Sequence, residues 1–404
     1  MQTHVEYRKM LKRNHILDLI RHSTEPISRS DVKKTTGYSM TTVSNVISDL
    51  VREGLLWEDA CTDEARMGRK PVFLHINGDG GYFIGIEFNI EALHYVVLDF
   101  SCRLVYSGGV QLPENVSTPA LLELIFAKTR ECLDQLAGKR VLGIGLGLPG
   151  YIDSAAGVAL RYPYLADWVN VPVMRLMKEK FGLPCYIGNN VGVMGLVFKW
   201  INEYHEDNDF LLVSIRSGVR CIPVLGQQPY FGRISSSGEI GHLRVRQGGR
   251  VCDCGHRGCL NTEVTDQSLA AIMEEGFGQG QYAAVQKLSG GGRPTVAQLV
   301  RSALAGDAES AALVRRAGTY MGSAVAAAGN LYAPQKVIVS GQLTLAGPLF
   351  FEPLRAQAKE ECLPAVMEHM EIISSPFGDT IGALGAAALP LENAFNPLVT
   401  NRDL

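Results

Sequence analysis

The chain has 404 residues, 46% of them hydrophobic and 20% charged, enough for two or three domains with a sizeable core. That composition excludes a disordered, fibrous or disulfide-stapled chain; with no apolar run near the ~18 residues of a membrane span and no signal peptide, a soluble cytoplasmic protein is expected. The net charge of −3 is unevenly spread: residues 1–56 hold nine Lys or Arg against six Asp or Glu, net +3, which leaves −6 for a larger acidic body.

In the basic segment, Met10, Leu11, Ile16, Leu17, Leu19 and Ile20 give residues 7–21 one apolar face and predict a helix. Ser28 or Ser30 can cap a short helix over 31–36, which Gly37 stops. Ser39 caps a third helix over 40–53. Its Val43, Val46, Ile47 and Leu50 form one stripe, while Thr41, Thr42, Ser44, Asn45 and Ser48 face outward. Two helices joined by a tight Gly turn, the second presenting short hydrogen-bonding side chains, predict a helix-turn-helix whose second helix enters the major groove. Residues 54–57 and 71–76 read as strands flanking a loop that ends in Arg69 and Lys70, placed to reach phosphate or the minor groove. A plain helical hairpin with a solvated Ser/Thr face is the rival reading. The basic balance and the wing favour DNA.

Beyond Gly81 the pattern becomes strands at 82–87, 94–99 and 103–106, then a helix over 118–136. A buried run at 141–150 leads to a strand over 186–191 and a helix over 193–204. A second set begins with a strand at 210–215 and returns at 336–341 after an Ala-rich helix over 311–331; the Gly-rich stretch 288–294 reads as a loop. Two strand-rich halves with helices packed on them predict a duplicated α/β body with a cleft.

Nine cysteines include three crowded into Cys252-Asp-Cys254-Gly-His-Arg-Gly-Cys259. In a cytosolic chain that spacing favours metal over disulfides. Zinc takes four tetrahedral ligands at about 2.0 to 2.3 Å, so a fourth must come from nearby. His242 and His256 are the candidates. His242 is the better one, because His256 sits inside the turn and would have to fold back. Four protein ligands close the site and make its role structural. Three unliganded buried cysteines are the plain alternative.

The winged helix-turn-helix, then Gly-Leu-Gly-Leu-Pro-Gly at 145–150, then Gly-Glu-Ile-Gly-His at 238–242 and the three-cysteine loop together resemble the ROK family of sugar-responsive repressors and sugar kinases. The resemblance runs almost end to end. It implies an actin-like or hexokinase-like (ribonuclease H-like) α/β two-lobed body behind the winged head. The implied organisation is a DNA-binding domain over 1–78, a first lobe over 79–190, a second lobe over 191–390 holding the metal loop 242–259, and a tail over 391–404, with a C-terminal helix free to return to the first lobe. The family's ligand set implies one structural zinc on His242, Cys252, Cys254 and Cys259.

Several kinase features of the family are altered here. The phosphate-binding Asp-x-Gly-Gly-Thr reads Glu87-Phe-Asn-Ile-Glu91, the second phosphate loop reads Arg216-Ser-Gly-Val-Arg220, and the adenosine Gly-Gly reads Ser340-Gly341. Asn190 stands at the position of the general base, where an amide cannot accept the sugar proton. No catalytic residue is therefore assigned. Of the implied sugar ligands, Glu239 and His242 match. Tyr164 replaces an Asn, Asn261 replaces a Glu, and Asn189 and Asn190 complete the expected set. Arg216 or Arg220 would suit a sugar phosphate. For several of these positions a purely structural role is the alternative.

The expected function is a ligand-responsive transcriptional repressor of carbohydrate genes that binds operator DNA as a homodimer. Thr41, Thr42, Ser44 and Asn45 would meet base edges, with Arg69 and Lys70 on the wing. A sugar or sugar-phosphate effector would close the cleft, and zinc would stiffen the link from Glu239 to the dimer surface. A regulator controlled by a protein partner and an ATP-dependent sugar kinase are the rivals. No membrane partner is expected.

Overall fold

The computed structural model describes residues 4–23, 25–60, 72–113, 116–200, 209–226, 228–230 and 237–395. The elements in the head are α1 (His4–Arg21), β1 (Ile27–Ser28), α2 (Arg29–Thr36), α3 (Met40–Arg52), β2 (Leu56–Ala60) and β3 (Val72–Ile76). The sheet order is β1-β3-β2, antiparallel throughout, so three helices sit with a small sheet in a winged arrangement. Ser28 makes the capping box: its backbone amide donates to the Asp31 carboxylate at 2.9 Å, and its hydroxyl accepts from the Asp31 amide. The helix therefore starts at Arg29, and Gly37, in the left-handed region, ends it. Ser39 caps α3 by accepting from the Thr42 amide. Ile16, Leu17, Val32, Val43, Ile47 and Leu50 are fully buried and form the head's own core. Arg13 grips the Glu53 carboxylate with two hydrogen bonds of 2.7 and 2.6 Å, which ties α1 to the end of α3. Arg69 and Lys70 lie outside the described residues.

The first five-stranded sheet is built from β4 (Tyr82–Phe88), β5 (Ala92–Asp99), β6 (Leu104–Gln111), then, beyond α4 (Thr118–Gln135), from β7 (Val141–Leu148). A small sheet of β8 (Tyr151–Asp153), β9 (Val158–Arg161) and β10 (Val169–Val171) is inserted before α5 (Val173–Phe181), β11 (Cys185–Asn189) and α6 (Asn190–Trp200). The second sheet uses β12 (Phe210–Ile215), β13 (Val219–Leu225) and β14 (Gln228–Pro229). Five helices follow: α7 (Asn261–Val264), α8 (Asp266–Phe277), α9 (Ala283–Ser289), α10 (Val296–Leu304) and α11 (Ala308–Tyr332). Then come β15 (Lys336–Ser340), α12 (Pro348–Glu361), α13 (Pro364–Met367), β16 (Glu371–Ser374) and α14 (Ile381–Phe395). The sheet orders β11-β7-β4-β5-β6 and β14-β13-β12-β15-β16 are the same topology twice. Each has an antiparallel three-strand meander whose first strand pairs in parallel with a fourth, and the fourth with a fifth. The duplicated α/β body expected from the strand pattern is present.

The chain divides at 205/206 and 381/382, giving one unit of residues 1–205 with 382–404 and a second of 206–381. The expected lobe boundary at 190/191 falls before α6, which belongs to the first unit, and the C-terminal helix returns to that unit as the resemblance allowed, from 382 onward and not from 391. Helix α6 is buried along almost its whole length and packs on β7 and β11. Helix α14 crosses the first sheet so closely that a Cβ on Gly85 would lie 2.1 Å from the Ala383 carbonyl oxygen, and one on Gly145 1.8 Å from that of Ala386. Only glycine permits that approach. Both helices therefore belong to the first unit. Among the described residues, no helix is long and apolar enough to cross a membrane.

The end of α1 docks on the first sheet's turn and on the end of α6. Arg21 donates to Cys102 Sγ, and its guanidinium lies 5.1 Å from the Phe100 ring and 5.5 Å from the Trp200 ring. Lys199 and the Trp200 indole both donate to the Glu392 carboxylate of α14. His22 offers Nδ1 to the Asp18 carbonyl and carboxylate at 3.0 and 3.2 Å, and Nε2 to the Lys199 carbonyl at 3.3 Å. With acceptors on both sides, the doubly protonated ring fits best. Burial works against the charge, but the hydrogen bond and charge of Asp18 outweigh it and raise His22 above its ordinary 6.5; the bond to His22 likewise overcomes burial and lowers Asp18 below 3.8. A raised histidine stabilises fully below 6.5 and loses that contribution as pH climbs through its folded value. A lowered aspartate loses its contribution as pH falls from 3.8. Head docking is thus tightest between these values. In melts against pH, the native protein is expected to lead His22→Gln below the ordinary histidine value of 6.5 and to lose that lead as pH rises through the raised value of His22.

Candidate functional site

Among the described residues, a cluster of four ligating side chains lies in the second unit. After the 3-10 turn Ile240–His242 the chain forms a knuckle, with antiparallel bridges between Arg244 and Cys259 and between Val251 and Arg257. Inside it the Cys252 amide donates to the His256 carbonyl at 2.7 Å, and the Gly255 amide to the Cys252 carbonyl at 2.8 Å. These bonds bring the ligand atoms of His242, Cys252, Cys254 and Cys259 within 4.8 Å of one another. Cys254 Sγ lies 3.7 Å from Cys259 Sγ, and Cys252 Sγ 3.6 Å from His242 Nδ1. Two sulfurs bound at about 2.3 Å to one tetrahedral ion stand about 3.8 Å apart, so the donor set fits a zinc-sized cation.

His256 stays out of the set and lies with Nδ1 3.5 Å from Cys254 Sγ. Its backbone and then its ring pull the Cys254 thiol down to about 6. Burial, and then the neighbouring cysteines, push Cys259 up to about 12, and burial raises Cys252. A central cation is what would let all three ionise together.

Glu239 immediately precedes the turn that carries His242, without a side-chain capping bond, so the two residues sit at either end of one 3-10 turn. Its carboxylate lies 3.2 Å from Arg220 Nη2, a pairing the sequence gave no signal for. Arg220 also donates to the Ser237 carbonyl at 3.3 Å. Asn261 is occupied structurally. Its side-chain oxygen accepts from the Val219 amide at 2.9 Å and sits where a Cβ on Gly241 would approach to 2.0 Å. A glycine at 241 is what lets the turn reach it. Arg216 donates to the Asp379 carbonyl at 3.2 Å.

The other expected effector residues belong to the first unit. Asn189 caps α6, accepting from the Val191 and Gly192 amides and donating to the Gly150 carbonyl at 3.1 Å. Asn190 donates through Nδ2 to Glu87 Oε1 at 3.2 Å, and Glu87 is fully buried. The Asn190 amide thus spends a donor on the buried carboxylate. Tyr164 is exposed and meets Tyr162 edge-on at 5.6 Å between centroids.

On α3, Thr41 and Asn45 are exposed, whereas Thr42 and Ser44 are half-buried. The Thr42 hydroxyl lies 2.9 Å from that of Ser39, and the Ser44 carbonyl accepts from Arg29. Arg29 also bonds the Ser48 hydroxyl and, at 2.8 Å, Glu58, thereby bracing α3 against β2. Sequence reading missed this brace. Its only signal was an arginine beside the α2 cap.

Comparison with known proteins agrees with the architecture. The chain is 27% identical over 372 residues to a xylose repressor of Caldicellulosiruptor bescii, covering 91% of this chain and 92% of that one. It is 23% identical to the DNA-binding transcriptional repressor Mlc of Escherichia coli, covering 92% and 90%. Among solved structures, a ROK family transcriptional regulator, a homologue of E. coli Mlc, superposes with a TM-score of 0.82 at 22% identity over 98% of this chain and 99% of that one. A ROK family glucokinase from Streptomyces griseus, in complex with glucose and AMPPNP, matches with a TM-score of 0.67 at 22% identity, covering 76% of this chain and 99% of that one. The ROK family profile matches residues 83–393, so behind its winged head this chain belongs to the ROK family.

Proposed function

We propose that this protein is a DNA-binding transcriptional repressor that acts as a homodimer, responds to a carbohydrate effector and holds one structural zinc ion. The observation that carries the reading is a head of three helices and a small antiparallel sheet joined to a body in which Asn190, which the family resemblance sets at the general-base position, is bonded to Glu87. Names of relatives, a xylose repressor and an N-acetylglucosamine repressor, support a sugar as effector class. Thr41, Thr42, Ser44 and Asn45 would form the base-facing helix, with Arg69 and Lys70 on the wing reaching phosphate. Glu239, His242, Tyr164, Asn189, Asn190 and Asn261 would form the remodelled effector site. His242, Cys252, Cys254 and Cys259 would hold zinc, which as a closed four-ligand ion would fix the turn bearing Glu239.

The body is not a kinase in this reading. With ATP and a panel of hexoses and pentoses, a coupled assay is expected to show no sugar-dependent ADP release. In parallel, thermal shift against sugars and sugar phosphates is expected to give a rise of a few degrees for at least one compound, since a ligand of the native state stabilises by mass action. ADP release would overturn the assignment.

A second reading rests on one observation, the Arg220–Glu239 pair. It already occupies the carboxylate that would meet a sugar hydroxyl, and so favours control by a protein partner. A flat thermal-shift screen together with sequence-specific DNA binding would support it.

A further inference from the structure

We propose that Met40 reads the methyl group of a thymine in the operator, which makes it a specificity-determining residue beside Thr41 and Asn45. The inference rests on α3 being a major-groove helix. Met40 is the first residue of α3 and is 42% exposed. By helical spacing it continues the stripe of Val43 and Ile47, both fully buried. The stripe thus runs one turn beyond the head's core. Because Cα–Cβ bonds tilt toward a helix's N-terminus, a side chain there projects past the helix start, the end that meets base edges.

The backbone at this point is fixed on both sides. The Tyr38 hydroxyl lies 3.0 Å from His15 Nδ1, and Ser39 caps the helix. Only the flexible thioether chain is left to adapt.

The other exposed residues of α3, Thr41, Asn45, Ser48 and Arg52, are polar or charged. Phosphates and most base edges ask for donors and acceptors, which those residues supply. The apolar feature of the major groove is the thymine C5-methyl, and an exposed methionine among small polar side chains is matched to it.

The test uses the full-length, zinc-supplemented protein. Its binding sequence is first selected from a random duplex library, and each thymine of a half-site is then replaced singly by deoxyuridine, which loses the methyl group and keeps pairing and the O4 acceptor. Fluorescence anisotropy is expected to show one thymine per half-site whose replacement weakens the native protein about four-fold, the worth of one buried methyl group. Met40→Ala should bind thymine and deoxyuridine equally at that position while retaining the other penalties. Reselection with Met40→Gln should change the preferred base pair there and nowhere else. Identical deoxyuridine penalties in the native protein and Met40→Ala, or an unchanged site with Met40→Gln, would overturn the assignment while leaving DNA recognition intact. Failure to enrich any sequence would overturn the major-groove reading itself, and this inference with it.

Discussion

Cys259→Ala is expected to abolish stoichiometric metal binding and to lower the melting midpoint by roughly 10 °C. The native protein, purified under reducing conditions, should contain one zinc per chain by elemental analysis. Cys259 is buried at the base of the knuckle, and its backbone pairs with Arg244. Losing the ion would leave Cys252 buried and protonated and would remove the constraint on the turn bearing His242. Loss of a structural metal belongs to the few mechanisms that cost more than about 4 kcal/mol. At about 2 to 4 °C per kcal/mol for a unit of this size, that gives the stated shift.

His256→Ala is the informative companion. His256 touches Cys254 without entering the ligand set. It should therefore keep the metal with affinity reduced about ten-fold, as for outer partners of metal ligands generally. If Cys259→Ala binds zinc as the native protein does, Cys259 is not one of the ligands and the four-residue set is wrong. The same variants test the link from metal to effector. Glu239 immediately precedes the turn that ends in His242, so a Cys259→Ala protein that still answers its effector normally would remove zinc from the signalling path.

How far these features were legible depended on the range of the interactions behind them. Helix caps act over three residues, so Ser28 or Ser30, Gly37 and Ser39 announced α2 and α3 before any tertiary contact was known. The three cysteines and His242 were legible for the same reason, because their spacing in sequence is nearly their spacing in space. The inserted sheet β8, β9 and β10 was not. Its strands are only three or four residues long, too short for alternation to register. The return of the C-terminal helix α14 to the first unit was allowed for by the resemblance, but the place of the first boundary was not legible because packing sets it: α6 joins the first unit through Val193 against Gly147 and Gly188, and α14 through its close approach to Gly85 and Gly145, more than 200 positions away. Arg220 was readable as a cation for a phosphate, but its pairing with Glu239 depends on β13 lying beside the turn before His242. Asn189 and Asn261 were read at expected ligand positions, but the hydrogen bonds each makes within its own unit, to the start of α6 and to the Val219 amide, were not legible.

Asn45→Ala is expected to weaken operator binding by roughly a hundred-fold or more in the dimer. Asn45 is exposed on α3, its side chain making no hydrogen bond among the described residues, and an amide can meet adenine with a donor and an acceptor at once. One such bidentate contact is worth about 1 to 3 kcal/mol, and a two-fold site holds two of them. Lys33 and Lys34, exposed on the neighbouring α2, provide the contrast. A lysine that meets phosphate contributes without regard to sequence, so Lys33→Ala or Lys34→Ala should weaken operator and random DNA alike and flatten the salt dependence by about one unit per lost contact. Asn45→Ala should leave the salt slope unchanged and act on the operator alone. Titrations on both DNAs at two or more salt concentrations separate the two behaviours. Were Asn45→Ala to weaken random DNA as much as operator, α3 would lie along the backbone instead of in the groove. The polar, nearly uncharged face that marks it in the sequence would then be a solvated surface.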